Sequence, residues 1–453
     1  MLRPSARPGS VWLSVLLLAH AAPVWAQEAP AGLLEQDTFT GTWGGFRTDL
    51  KDRGIAISAT EIGEVLGASG GPRDGGMIYE GRLEFDIDVD VEKIVGITDM
   101  VIHANAYQIH GRGLSQNYLG ANLLVASNIE AIRATRLFDL WAQKGFLDNA
   151  LSIRLGQIAA DDEFIVSQYA GIFVNATFGW PAIASANLPG GGPAYPLATP
   201  GLRIKNAFSE EFSLQAAVFG GNPAGTIASN PQISDASGTS FSLRGGSLII
   251  AEGILTPQPE NASPNWPSAY KIGIWYHTGA FDDQRYDRAG LSLASVQSSN
   301  LPLRHRGEFG AYAVVDQPLY RVGDSDDRGL AAFLRVGVAP GNQDIVAAYL
   351  DAGVDWKGPI DSRPDDMLGL AFGYAQTSGA SQGFDKDLRR FGQVYGRIAD
   401  FECAVELTYQ ASLAPWWSLQ PDLQYDIHPT PTDGTVTQSE GAFVAGLRTS
   451  IKF

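Results

Sequence analysis

Seven charged side chains stand at alternate positions between residues 80 and 92: Glu80, Arg82, Glu84, Asp86, Asp88, Asp90 and Glu92. Three chemistries use so many carboxylates. A calcium loop needs a glycine at its sharp turn and polar spacers, whereas Asp86, Asp88 and Asp90 are separated by Ile87 and Val89. Glycoside hydrolysis needs two acids across one scissile bond, and Glu402 with Glu406 is a candidate pair. Acids recur on many such segments, however, which reads as a polar wall instead of a selected pair. The third chemistry is an extended hydrogen-bonding surface. Arg82, Arg154, Arg203 and Arg335 suit it, because each guanidinium is a planar fork of donors that matches a pair of hydroxyls. Pairing with neighbouring acids such as Glu84 is the competing use. Trp275, on a polar face, offers a ring that could stack on the C–H face of a sugar.

Enzyme and cofactor signatures are missing. There is no G-x-S-x-G elbow, no phosphate loop, and no H-E-x-x-H or paired C-x-x-C pattern. His103, His110, His277, His305 and His428 are scattered without metal-ligand spacing. The expectation is a protein that is not an enzyme and holds neither metal nor cofactor. Cys403 is the only cysteine, so no intramolecular disulfide can form.

The elements that position these side chains are strands. Opposite the charged set, Gly81, Leu83, Phe85, Ile87, Val89 and Val91 form an apolar face, and only a two-residue repeat separates the two so cleanly. Glu402, Glu406, Thr408 and Gln410 oppose Phe401, Cys403, Val405, Leu407 and Tyr409; Ser418, Gln420, Asp422, Gln424 and Asp426 oppose Trp417, Leu419, Leu423, Tyr425 and Ile427. Lys271, Gly273, Trp275 and His277 oppose Tyr270, Ile272, Ile274 and Tyr276, and Arg335 with Gly337 opposes Leu334, Val336 and Val338. Weaker repeats begin near Ile55, Val101, Arg136, Leu151, Leu202, Phe212, Gly246, Glu308, Ile345 and Met367. The chain ends on another, in which Phe443, Ala445, Leu447, Ile451 and Phe453 alternate with Gly446, Arg448, Ser450 and Lys452. About sixteen strands result, an even number in the range where an antiparallel barrel encloses an aqueous channel. The polar faces then line that channel, with Arg82, Glu84, Arg154, Arg203, Lys271, Trp275, Arg335, Glu406, Gln420, Asp422 and Gln424 as candidate lining residues.

The address agrees with a barrel in an outer membrane. Arg3 and Arg7 precede an apolar run from Val11 to Ala19 and a Val24-Trp25-Ala26 cleavage-like site, the pattern of a secretory signal peptide over residues 1–26. That run is too short to span a bilayer as a helix. Removing it leaves 30 basic and 49 acidic residues, a formal charge of −19, which disfavours nucleic acid as a partner. Residues 27–54 are expected to be a short periplasmic segment with a helix around Phe46 and Leu50, and 55–453 the barrel, with lipid as its outer partner. Connections alternate between short and long. The longest, Ala159 to Pro200, holds the candidate Asp161, and a loop of that length is expected to be functional, folded into the lumen or covering its mouth. Others run near Gly113–Glu130, Gly221–Phe241, Phe281–His305 and Thr377–Asp400.

Residues Thr42-Trp43-Gly44-Gly45-Phe46-Arg47-Thr48-Asp49-Leu50 with Arg53-Gly54-Ile55 resemble an N-terminal motif of the carbohydrate-selective porins, the OprB family. The resemblance continues through Arg154-Leu155-Gly156-Gln157, Asp161, Phe164, Phe178-Gly179, Gly192-Pro193-Ala194-Tyr195-Pro196, Pro200-Gly201 and Asp316-Gln317-Pro318-Leu319-Tyr320. It ends with Glu406, Tyr409-Gln410, Trp417, Leu419-Gln420-Pro421-Asp422-Leu423-Gln424-Tyr425 and Pro429. It implies a sixteen-stranded barrel in the outer membrane of a Gram-negative bacterium, with inward-folded loops, through which small sugars, glucose or other monosaccharides, diffuse passively. It also implies that the C-terminal aromatic, Phe453, addresses the outer-membrane assembly machinery. A less selective porin for small polar solutes, a glycan-modifying barrel enzyme and an adhesin are the alternatives. No feature specifies an oligomeric state.

Overall fold

The computed structural model describes residues 32–71, 75–120, 123–225, 230–258, 266–323, 325, 327–392, 398–429 and 441–453. The signal-peptide reading lies outside these residues. Sixteen strands among them are β1 (Ile55–Gly70), β2 (Gly76–Asp90), β3 (Met100–Gly111), β4 (Ala134–Phe146), β5 (Leu151–Ile158), β6 (Thr199–Ala207), β7 (Phe212–Gly220) and β8 (Ser247–Leu255). They continue as β9 (Ala269–Asp287), β10 (Pro302–Arg321), β11 (Gly329–Val338), β12 (Val346–Lys357), β13 (Met367–Thr377), β14 (Phe401–Ala414), β15 (Trp417–Ile427) and β16 (Gly441–Lys452). Each pairs antiparallel with its sequence neighbours, and β16 closes the ring on β1 with Val65 opposite Leu447 and Glu64 opposite Arg448. Closure removes both sheet edges, so every strand has a partner on either side.

The alternation read from the sequence is the wall of this barrel. Phe85, Ile87, Leu155, Ile204, Ile272, Ile274, Leu407, Leu423, Phe443 and Leu447 are all exposed on the outside, while Glu64, Glu252, Asp316, Arg335, Asp351, Glu402, Glu406 and Arg448 are buried. A water-soluble protein has the reverse distribution. Here lipid covers the apolar face, and the inward charges must find partners inside.

Connections at one end are short, such as 147–150, 208–211 and 415–416; at the other they include 112–133, 159–198, 221–246 and 378–400. Short turns mark the periplasmic end of such barrels. Before β1, helix α1 (Phe46–Asp52) lies at that end, where Arg47 donates to the Ile57 carbonyl (2.9 Å). The N-terminal segment is fastened to the C-terminal strand. Phe39 N–H donates to Lys452 O (2.7 Å), the Trp416 indole donates to Leu33 O (2.8 Å), and the Phe39 ring lies 4.9 Å from Trp416 and 5.8 Å from Phe453.

Three boundaries differ from the sequence pattern. The repeat at 80–92 stops as a strand at Asp90, whose carboxylate caps helix α2 (Val91–Val95) by accepting from Lys93 N–H (3.3 Å), so Val91 and Glu92 are helical. The connection read between Phe281 and His305 is mostly strand, with only 288–301 between β9 and β10. Asp282 pairs with Arg304 (3.2 Å) and the adjacent Asp283 with His305 (2.8 Å), so both faces of this extension are polar and no apolar alternation marks it. The connection after β13 contains helix α3 (Gly379–Arg390), which docks on β9 through Arg285 and Asp387 (2.8 and 3.1 Å).

Candidate channel constriction

The loop 159–198 turns into the barrel and is tied to the wall by the charges that alternation places inside. Glu406 accepts the N–H groups of Val174 (2.6 Å) and Asn175 (2.9 Å), Glu252 accepts that of Ile165 (3.1 Å), and Asp316 accepts that of Gln168 (3.2 Å). Arg335 donates to the carbonyls of Ile165 (3.1 Å), Gly179 (2.7 Å) and Thr177 (2.9 Å) while paired with Asp351. Gln420 donates to Ile172 O (2.8 Å), and Lys271 to Val166 O (2.7 Å). Apolar packing adds to this, with Phe173 and Phe178 set against Phe333. A loop has backbone groups to satisfy wherever it is buried, and these wall side chains satisfy them.

The loop 112–133 enters beside it. Glu402 accepts from Leu124 N–H (2.9 Å), Gln424 donates to Ala126 O (2.8 Å) and to Asp422 (2.8 Å), and Arg448, paired with Glu64, donates to Asn128 (2.6 Å). The loop 221–246 supplies a third insertion, where Gln157 donates to Gly238 O (2.9 Å) and Arg136 to Gln232 O (3.5 Å).

Six candidate lining residues therefore stand behind the loops instead of facing water. Arg335, Glu406, Gln420, Asp422 and Gln424 are each buried and bonded as described. Trp275 is also corrected: it is 3% exposed, its indole N–H donates to Glu308 (3.0 Å), and its ring lies across Gly310, where an added Cβ would meet it at 2.0 Å. Trp275 fills the wall next to Tyr312, at 6.1 Å between ring centroids, and offers no face to a solute. Alternation tells which way a side chain points; it cannot tell what stands in front of it.

Of the remaining six candidates, Lys271 on β9 is the one already tied to Val166 O, and the other five converge where loop 159–198 faces β2 to β6. Arg82 lies over the rings of Tyr107 (4.7 Å) and Tyr195 (5.1 Å) and bonds Glu84 (3.1 Å), which also accepts from Asn105 (2.9 Å). Asp161 accepts the Tyr195 N–H (2.9 Å), fixing the loop's turn. Arg154 lies 3.8 Å above the Trp141 ring and pairs with Glu163 (2.7 Å), which Arg203 grips from the other side (2.6 Å). Arg203 also bonds Gln143 (2.7 Å) and Ser152 (2.6 Å). Asp162 is exposed at the tip of this turn. The Trp141 indole N–H has no protein partner, and its ring stacks on His103 at 4.8 Å.

Trp141 is the aromatic that the sequence pattern missed. Counting by twos from Arg136 points residue 141 outward, but the β3–β4 register shifts between Ala104 and Ala106, which brings both Arg136 and Asp139 to buried positions and turns Trp141 inward. The only sequence signal was a lone polar Asp139 one place out of phase. Among the described residues no group of three or more His, Cys, Asp or Glu side chains is placed to hold a metal ion. His103 instead pairs with Asp88 (2.8 Å), and Asn105 with Asp86 (2.6 Å).

A closed, lipid-facing barrel with a narrowed polar passage defines an outer-membrane porin. The sequence model of the carbohydrate-selective porins, OprB family, matches residues 74–453, and the chain belongs to that family. It is 25% identical to Porin B of Pseudomonas aeruginosa over 96% of this chain and 94% of that one. It is 24% identical to the putative porin QuiX of Acinetobacter baylyi, covering 91% and 92%. Among solved structures, the high-pH form of Pseudomonas putida OprB has the same fold, with a TM-score of 0.83 and 24% identity over 92% of this chain and 99% of that one. The protein is thus a sugar porin of the Gram-negative outer membrane, a channel in class.

Proposed function

We propose that monosaccharides such as glucose diffuse through the passage bounded by Arg82, Glu84, Trp141, Arg154, Asp162 and Glu163, driven only by their gradient. The Arg154 guanidinium over the Trp141 ring, beside the Glu163 carboxylate that it pairs with, carries this reading. Donors, acceptors and an aromatic edge together match the hydroxyls and C–H groups of one sugar ring. Contacts of this kind replace hydration piecemeal and remain weak enough for release, which flux requires. The chain itself performs no covalent chemistry in this scheme. In planar bilayers, glucose should lower the ionic current in a saturable way, and Trp141→Ala should raise the half-blocking concentration; an unchanged value would remove Trp141 from the site.

Two further assignments belong to the same proposal. Residues 27–54 act at the periplasmic mouth, supported by the docking of α1 and Phe39 on the strand ends. The Phe453 strand serves as the handle for the assembly machinery, supported by its position as the last strand to close the ring.

A further inference from the structure

On the periplasmic side of the passage, and sharing Arg154, Asp162 and Glu163 with it, a cavity of about 420 Å³ opens against the early part of β5, the late part of β6 and the start of β9. Four cationic side chains line it, Arg154, Arg203, Lys205 and Lys271, against two carboxylates, Asp162 and Glu163. The pairing is uneven. Glu163 is shared by Arg154 and Arg203, and Lys271 is held by a neutral carbonyl, Val166 O. Lys205 makes no hydrogen bond or ion pair among the described residues and stands half-buried in the cavity wall. An ammonium in that position carries its charge with no carboxylate in contact. The cavity has the volume of a small-ligand pocket, enough for a hydrated six-carbon sugar.

We propose that this vestibule selects anionic monosaccharides, sugars bearing one carboxylate, with Lys205 and Lys271 drawing the carboxylate while Gln143 and Ser152 meet hydroxyls. The inference rests on the sugar-porin reading and extends its substrate class. The negative charge of the whole molecule does not oppose it. Charges more than about 10 Å away are screened at 0.1 M salt, so the local excess of cations governs the cavity.

The test uses the full-length protein in planar bilayers and compares glucuronate with glucose as blockers of the ionic current. At 0.1 M salt glucuronate should block at a concentration about threefold lower, and the advantage should shrink at 1 M salt. In Lys205→Glu the ratio of the two half-blocking concentrations should return to about one; Lys205→Gln, which removes charge without adding any, should fall between. Glucose block with no glucuronate advantage, or an advantage that Lys205→Glu leaves intact, overturns the proposal while the sugar-porin reading stands. A channel that neither sugar blocks overturns both.

Discussion

At the residue scale, two arginines that the sequence makes equivalent have opposite work. Arg82 faces the passage between Tyr107 and Tyr195, whereas Arg335 is 1% exposed and holds three loop carbonyls and Asp351. Arg82→Ala should weaken sugar block and leave the heat resistance of the folded barrel nearly unchanged. Arg335→Ala strands a buried carboxylate and should cost about 3–5 kcal/mol, read as easier heat unfolding in detergent. Trp141→Ala removes about 1 kcal/mol of ring contact and should raise the half-blocking glucose concentration about fivefold. Strand alternation was enough to put Arg82, Glu84 and Arg154 inside, because it is a property of the backbone. It misplaced Trp141, since one bulge between β3 and β4 shifts the phase, and it promoted Trp275, which in fact lies across Gly310.

At the element scale, the inward loops are folded by the wall. Glu406 meets two consecutive N–H groups of loop 159–198, so Glu406→Ala leaves both unsatisfied and loosens the narrowing. Larger single-channel conductance with weaker sugar block is the expected result; a smaller conductance would show that this loop does not set the width. At the long-loop end, α3 is anchored by Asp387, whose carboxyl the hydrogen-bonded Arg285 guanidinium holds below the usual range. A depressed carboxyl pKa contributes stability that is present above the unfolded value and lost as pH falls through the folded one. Limited proteolysis should therefore find α3 protected at neutral pH and cut faster below about pH 4, and Asp387→Asn should be cut faster already at neutral pH. The loop lengths were legible from the spacing of strands, but their paths were not. Contacts such as Leu124 with Glu402 join residues 278 apart, and no local pattern reports them.

At the scale of the whole molecule, one inversion explains both the fold and the passage: apolar side chains outward to lipid, charges inward to loops and water. Closure of β16 on β1 makes the last strand a condition for the whole ring, and Phe453 donates its N–H to Ala59 O (2.8 Å) on the first strand. Deleting Phe453 should lower the yield of inserted barrel far more than it alters sugar block in the channels that do form. In the proposed scheme, sugars occupy the passage between loop 159–198 and β2 to β6. A glucose-concentration series in planar bilayers tests it most directly: discrete conductance steps that fall saturably with glucose, with the half-blocking concentration raised by Trp141→Ala and by Arg82→Ala, are the predicted result, and steps indifferent to glucose at every concentration would contradict it.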